Sequence, residues 1–345
     1  MNRLRVISIL TVMAATAAIT NAQGARPTLV VTLSNTQANE LLVYDAAGTP
    51  VQSISTQGQG GASGNAGGIA TQNGIVAAVN FGSQTVAIFE RRGNGFEFRR
   101  LVSAVSAPVS VAFSQTHLYV LGVTTVESHR IVNGEVDVVL DGMTVLVRAD
   151  GSAAQVGVAG DRLVISEKSG AIEMVSLQNG VVAGNAVSVP LPAGASDTPF
   201  GLVTRGANAY VTIAHSDLIA LVKNGQFVAA AATGTDFPNG PGQQSPCWIA
   251  LVGPYLYSTN TPSHSISRLV ATGGNVILDE AVAALVPGNP GDVAGDGDVL
   301  AVVESDGANP SHLTLFRIDE GGDLTQIATV PVTAGANGVA IVPGR

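Results

Sequence analysis

Apolar runs of five or six residues, each closed by Gly, Asn, Ser or Pro, recur along this chain in groups of four. One group reads PFGLV (199–203), a turn at Arg205-Gly206-Ala207-Asn208, AYVTI (209–213), a break at Ala214-His215-Ser216, DLIALV (217–222), the pair Asn224-Gly225 and then QFVAAAAT. Runs this short predict strands packed on both faces rather than amphipathic helices. The same order recurs in GGIAT, IVAAVN and TVAIFE; in VSVAF, HLYVLG and VESHRI; in QVGVA, RLVISE and AIEMVSL; and in CWIAL, YLYSTN and SISRLV. Each group predicts four strands, a to d. Glycines at 48, 95, 134, 180, 225, 274 and 322 mark the turn between c and d, at intervals of 39 to 49 residues. Four short strands per period of that length are the mark of a β-propeller blade, so the expected fold is all-β with seven four-stranded antiparallel blades.

The final unit is incomplete. After LTLFRI and DLTQIATV the chain offers one more strand, Gly338 to Val342, while TLVVTL (28–33), ELLVYDA (40–46) and PVQSIST (50–56) stand at the other end without an inner strand. The C-terminal strand is therefore expected to join the N-terminal three and close the ring, leaving no open gap between blades. Two segments fit the period poorly. Gly58 to Gly68 (GQGGASGNAGG) matches neither phosphate-binding glycine fingerprint and is expected to be a flexible d-to-a loop. Asp279 to Val286 has a helix-like composition.

Ahead of the repeats lie Arg3 and Arg5, an uncharged apolar run from Val6 to Ile19, and Thr20-Asn21-Ala22. This is the pattern of a secretory signal peptide over 1–22, too short to span a membrane. Residues 23–345 then form a single propeller domain in a secreted or periplasmic protein. Composition adds three constraints. The 41 glycines and 12% charged residues suit many tight turns. Cys247 is the only cysteine, so no internal disulfide forms, and its apolar neighbours suit a buried, unreactive thiol. Formal net charge is −9, and about −11 once Arg3 and Arg5 are removed, which argues against a nucleic-acid surface.

In a propeller the b-to-c and d-to-a connections gather on one face around the central channel, so polar residues there are the candidates for chemistry. The ends of strand b supply Asn35, Asn80, Glu127, Glu167 with Lys168, His215, Asn260 with His264, and Glu304; the d-to-a segments supply Asn65, Arg148, Asp197 and Asp292. The five histidines show no local metal spacing, and Asp292, Asp296 and Asp298 straddle a strand and its turn rather than a calcium loop. No Gly-x-Ser-x-Gly or HExxH motif is present, and no cofactor or metal is expected.

The strings TPFG (198–201), QSPCWIAL (244–251) followed by YLYSTN and HSIS, VISEKSGAIEMVSL (164–177) and VAAVNFGSQTVAIF (76–89) make the chain resemble extracytoplasmic members of the seven-bladed lactonase propellers, the family of 6-phosphogluconolactonase and carboxymuconate cyclase. The resemblance implies an enzyme hydrolysing or forming a small anionic lactone. Such chemistry needs an anion donor, a proton carrier and polarisation of the ester carbonyl. Arg148 fits the first role and His215 the second, with Glu167 orienting the imidazole or acting as base. Asn80, Asp197, Asn260, His264 and Glu304 are the candidates for ligand contacts. The loops of 107–146 depart most from the family pattern. The alternative is a non-catalytic propeller presenting its loop face to a protein, glycan or envelope partner. A monomer is expected in either case.

Overall fold

The computed structural model describes residues 26–191, 195, 198–234, 243–305 and 311–344. Residues 1–22 and Asp197 lie outside them. Seven four-stranded antiparallel sheets follow one another around a ring, six of them running a-b-c-d along the chain. Blade one spans 69–103, two 108–145, three 153–189, four 199–232, five 246–285 and six 289–332; blade seven combines 337–342 with 29–55. The expected seven-bladed propeller is the observed one.

Closure takes the expected three-plus-one form. Strand Asn337–Val342 pairs antiparallel with Leu29–Leu33, placing Val30 opposite Ile341 and Val31 opposite Ala340. Thr32 Oγ1 adds a bond to the Gly338 carbonyl at 2.7 Å. Ala340 and Val342 pack with Leu29 and Val31 in a core shared with blade one, whereas Val339 and Ile341 pack with Val30 in a core shared with blade six. One strand thus seals two interfaces. Outside the ladder, Arg91 of blade one reaches across the seam to the carbonyls of Pro343, at 2.8 Å, and Pro27.

Neighbouring blades are latched by tyrosines on strand b. Tyr119, Tyr210 and Tyr257 are fully buried, and each extends its hydroxyl to a backbone carbonyl at the c-to-d turn of the next blade: Gly180 at 2.8 Å, Thr272 at 3.5 Å and Gly322 at 2.7 Å. Burial raises the Tyr119 hydroxyl pKa and pushes that of Tyr257 up to about 12, so both remain donors. The hairpin glycines are keepers for these bolts. Gly180, at φ +85°, leaves no space for a side chain, because a Cβ would come within 2.3 Å of His117 Nδ1.

Three local expectations are corrected. In blade one the left-handed turn residue is Gly93, at φ +59°, and Gly95 opens strand d. Asp279 to Leu285 continues strand Asn275–Leu285, where Glu280 faces Arg268 and Leu285 faces Ser265 of strand c; cross-strand pairing overrides a helix-favouring composition. The segment 58–68 is pinned in place by hydrogen bonds described below.

Deleting residues 335–345 removes the buried side chains of Val339, Ile341 and Val342, worth about 1.5–3 kcal/mol each, and the ladder with them. The expected result is a fall in Tm of at least ~10 °C, read by circular dichroism. Tyr257→Phe leaves the Gly322 carbonyl without its donor and is expected to cost about 1–2 kcal/mol by urea titration, with Tyr210→Phe costing less because its bond is longer.

Candidate functional site

The chain makes a recurrent use of buried polar groups on the face formed by b-to-c and d-to-a connections. Each segment crossing from one blade to the next runs over buried strand ends, where its backbone groups need partners. Glu127 of blade two accepts the Val105 N–H at 3.0 Å. Glu173 of blade three accepts those of Val147 and Arg148, at 2.9 and 2.7 Å. Glu304 of blade six accepts that of Gly288 at 2.7 Å. In blade one Asn80 Oδ1 accepts from Thr56 Oγ1 at 2.6 Å and Asn39 Nδ2 at 2.9 Å. In blade five Asn260 Nδ2 donates to Ser265 and Ser267, and Ser267 in turn donates to the Thr233 carbonyl. The His264 carbonyl accepts the Val286 N–H at 2.9 Å. At Asn80, Asn260 and Glu304 the structure shows buried clasps for crossing segments, and Glu127, expected at the end of strand b, instead lies within strand c, Thr125–Val132, because strand b stops at Gly122.

Segment 58–68 crosses the mouth of the channel on this face. Asn35 Oδ1 accepts the N–H groups of Gly61 and Ala62, and Asn337 Nδ2 donates to Asn65 Oδ1 at 2.7 Å. Asn65 Nδ2 reaches the Val109 carbonyl of blade two at 2.7 Å, while its own carbonyl accepts Trp248 Nε1 of blade five at 3.0 Å. Ala66 N–H bonds to Ala154 O, and Lys168 Nζ to Gly64 O at 2.5 Å. Blades seven, two, three and five therefore hold one plug. Its glycines permit close approach: a Cβ on Gly60 would lie 2.4 Å from the Asn35 carbonyl carbon. Phe200 packs edge-on against Trp248, with ring centroids 5.1 Å apart, and Ala66 and Ala154 complete this apolar floor.

Beside the plug, blades three and four carry the three residues assigned catalytic roles. Glu167 ends strand Arg162–Glu167 and is fully buried. Ser152 Oγ donates to its Oε2 at 2.9 Å and lies 2.8 Å from Ser169 Oγ, and Oε1 has no hydrogen-bond partner among the described residues. Burial pushes the Glu167 pKa up to about 8; the neighbouring Glu173 and Asp150 charges reinforce the shift, while Ser152 and Lys168 oppose it. Lys168, half-buried above the Phe200 ring, has its pKa lowered by desolvation. Arg148 sits on the crossing segment with its side chain exposed and its N–H on Glu173. His215 lies in the 3-10 turn Ala214–Ser216 of blade four, exposed, with Nδ1 3.0 Å from Thr198 Oγ1. All three lie on the face of the b-to-c and d-to-a connections, each held by a different neighbour. Ser152, Ser169 and the plug were not singled out by sequence as chemistry; the serines carry no motif, and their relation to Glu167 arises only when the crossing segment folds over strand b.

Among the described residues, no group of three or more His, Cys, Asp or Glu is placed to hold a metal ion, and no helix is long and apolar enough to cross a membrane. Half-buried Cys247 has its thiol pKa raised by burial, as its apolar surroundings suggested.

No family model and no curated relative matches the sequence. Solved structures do. A putative 6-phosphogluconolactonase from Bacteroides fragilis is similar over 95% of this chain and 100% of its own, at 15% identity with a TM-score of 0.65. The periplasmic gluconolactonase of Pseudomonas aeruginosa is similar over 93% of this chain and all of its own, at 15% identity and a TM-score of 0.66. The fold is that of the seven-bladed lactonase-type propellers. A streptogramin B lyase is also similar, covering 81% of this chain and 87% of its own at 14% identity with a TM-score of 0.57, so lactonase-type propellers share their architecture with a protein named for different chemistry.

The raised carboxyl of Glu167 has a testable consequence for stability. The folded protein keeps a proton that the unfolded chain releases near pH 4.5, so the stabilisation is full below that pH and is lost as pH rises to about 8. Glu167→Gln is expected to flatten this part of the stability profile and to gain on wild type at pH 8, measured by denaturant titration across pH 4–9.

Proposed function

We propose that this protein is an extracytoplasmic lactonase-like enzyme that hydrolyses or forms a small anionic lactone on the sector of blades three and four. The observation that carries the reading is a buried Glu167 carboxyl, protonated at neutral pH and linked to Ser152, beside Lys168 on a propeller shared with lactonases. Arg148 binds the substrate's acidic group, aided by the positive Lys168 nearby; these cations offset locally the negative charge of the whole protein. His215 removes a proton from water as the oxygen attacks the lactone carbonyl carbon. The ring C–O bond of the tetrahedral intermediate then breaks, and the leaving alkoxide takes a proton from the acid side of the site. Because its pKa lies near 8, Glu167 supplies that proton through the Ser152 hydroxyl rather than orienting the imidazole or acting as base, the two roles expected from sequence. Asp197 and His264 are assigned to ligand contacts. The extracytoplasmic location rests on the charged and apolar pattern of residues 1–22, and a neighbour named as periplasmic supports it.

A panel of sugar-acid and other anionic lactones, followed by proton release, tests the reading. Wild type is expected to turn over at least one of them, with kcat falling above pH 8. His215→Ala is expected to lower kcat by about 100-fold or more. Arg148→Ala raises KM for anionic lactones but not for neutral ones. Unchanged activity in His215→Ala removes the imidazole from the mechanism, and no turnover across the panel overturns the enzyme in favour of a binding propeller.

A further inference from the structure

The face that carries the hairpin glycines has a polar chain of its own, in blade two. Strands Pro108–Phe113 and His117–Gly122 meet there at the a-to-b turn, where Ser114 Oγ accepts the His117 N–H at 3.2 Å. His117 is buried, its ring stacked on that of Tyr119. Both ring nitrogens are engaged: Nε2 lies 3.0 Å from Asp141 Oδ2, and Nδ1 lies 2.8 Å from Thr116 Oγ1. An ionised carboxylate only accepts, so the imidazole carries its proton on Nε2. Its bare Nδ1 then accepts the Thr116 hydroxyl proton.

Asp141 is aimed by a β-bulge. Ser128 of strand c pairs with Gly142 and His129 with Leu140, which leaves Asp141 as the extra residue of strand d, free of the ladder. Its Oδ1 accepts from Ser128 Oγ at 2.7 Å, and Arg130 Nε stands 3.7 Å from Oδ2. The carboxyl is thus held at both oxygens. A hydroxyl on an imidazole that is itself oriented by an acid is the arrangement that activates an oxygen nucleophile.

Thr116 is the exposed member of the three and lines an open recess of about 430 Å³ between the turns of blades two and three. Tyr119, Val158 and Leu177 make the wall largely apolar, and Asp161 is the charged residue in it, which disfavours an anion. Gly180 keeps the approach clear: a Cβ there would stand 2.9 Å from Thr116 Oγ1.

We propose that Thr116, His117 and Asp141 form a second hydrolytic site, acting on a neutral carboxylic ester with a short apolar acyl group. Thr116 Oγ1 attacks the ester carbonyl carbon as its proton passes to His117 Nδ1. The ester C–O bond of the tetrahedral intermediate breaks, and the leaving alcohol oxygen takes that proton. Water then attacks the acyl carbon and gives a proton to Nδ1; the bond from that carbon to Oγ1 breaks, and Oγ1 recovers the proton. Asp141 orients the imidazole throughout. The site lies on the face opposite Glu167 and His215 and does not rest on their activity.

Hydrolysis of p-nitrophenyl acetate at pH 8, together with labelling by diisopropyl fluorophosphate, tests the proposal. Wild type is expected to turn over the ester and to take up one phosphoryl group, mapped to Thr116 by peptide mass spectrometry. Thr116→Val, at an exposed position, is expected to lose both activities, and Thr116→Ser, which restores the hydroxyl, to keep both. Asp141→Asn is expected to lower kcat by about 100-fold or more with KM unchanged. No label on Thr116 in wild type, hydrolysis that persists in Thr116→Val, loss of both activities in Thr116→Ser or an unchanged kcat in Asp141→Asn overturns the site.

Discussion

The pairing of Asn337–Val342 with Leu29–Leu33 is the constraint on which the remainder of the molecule depends. A propeller blade cannot bury both its faces alone; each sheet becomes a core only when its neighbours stand on either side. With no disulfide to fix the ends, the ring must be closed by a strand ladder and by the apolar side chains on its two faces. Everything that positions chemistry is downstream of this. The plug is bound by Asn35 and Asn337, one from each end of the chain, and so has its proper shape only in a closed ring.

Closure also explains why buried polar groups are tolerated in such number. Each crossing segment brings backbone N–H groups over a hydrophobic interface, and an acid or amide in the next blade meets them. Glu127, Glu173 and Glu304 perform this task with carboxylates, while Asn80 holds its crossing segment through the Thr56 hydroxyl. Glu167 departs from that pattern. Its hydrogen bond comes from a serine hydroxyl rather than from a crossing backbone, which leaves burial to dominate its ionisation. The same face therefore contains both structural acids and one whose proton is retained near neutrality.

The architecture was legible because hairpin turns and short apolar runs are local signals. Unit boundaries, strand order and the three-plus-one closure all follow from residues within a few positions of one another. Failures occurred where local preference and long-range pairing disagree. Asp279 to Leu285 has residues that favour a helix, but strand c lies alongside and supplies its hydrogen bonds. The glycine-rich segment has no periodicity, and the side chains that hold it are distant in sequence: Asn65 bonds to Val109, Asn337 and Trp248. At the candidate site the polar residues ending strand b were found, yet their type does not say whether they face a ligand or a backbone. Asn80 and Glu167 occupy the same position in their blades and have different partners. Asp292 was misplaced by a few residues, because the crossing into blade six is short and its inner strand begins early.

The Arg91 clasp gives the seam a further meaning. By holding Pro27 and Pro343 with one guanidinium, and with Gly344 N–H 3.2 Å from Thr28 Oγ1, it sets the two ends of the described chain side by side. Topologically, then, the break in the polypeptide is a matter of accounting: a short bridge from 344 to 26 would make the backbone an endless loop, which new termini could enter at another blade. The molecule is better viewed as a circle with a movable cut than as a line that happens to bend.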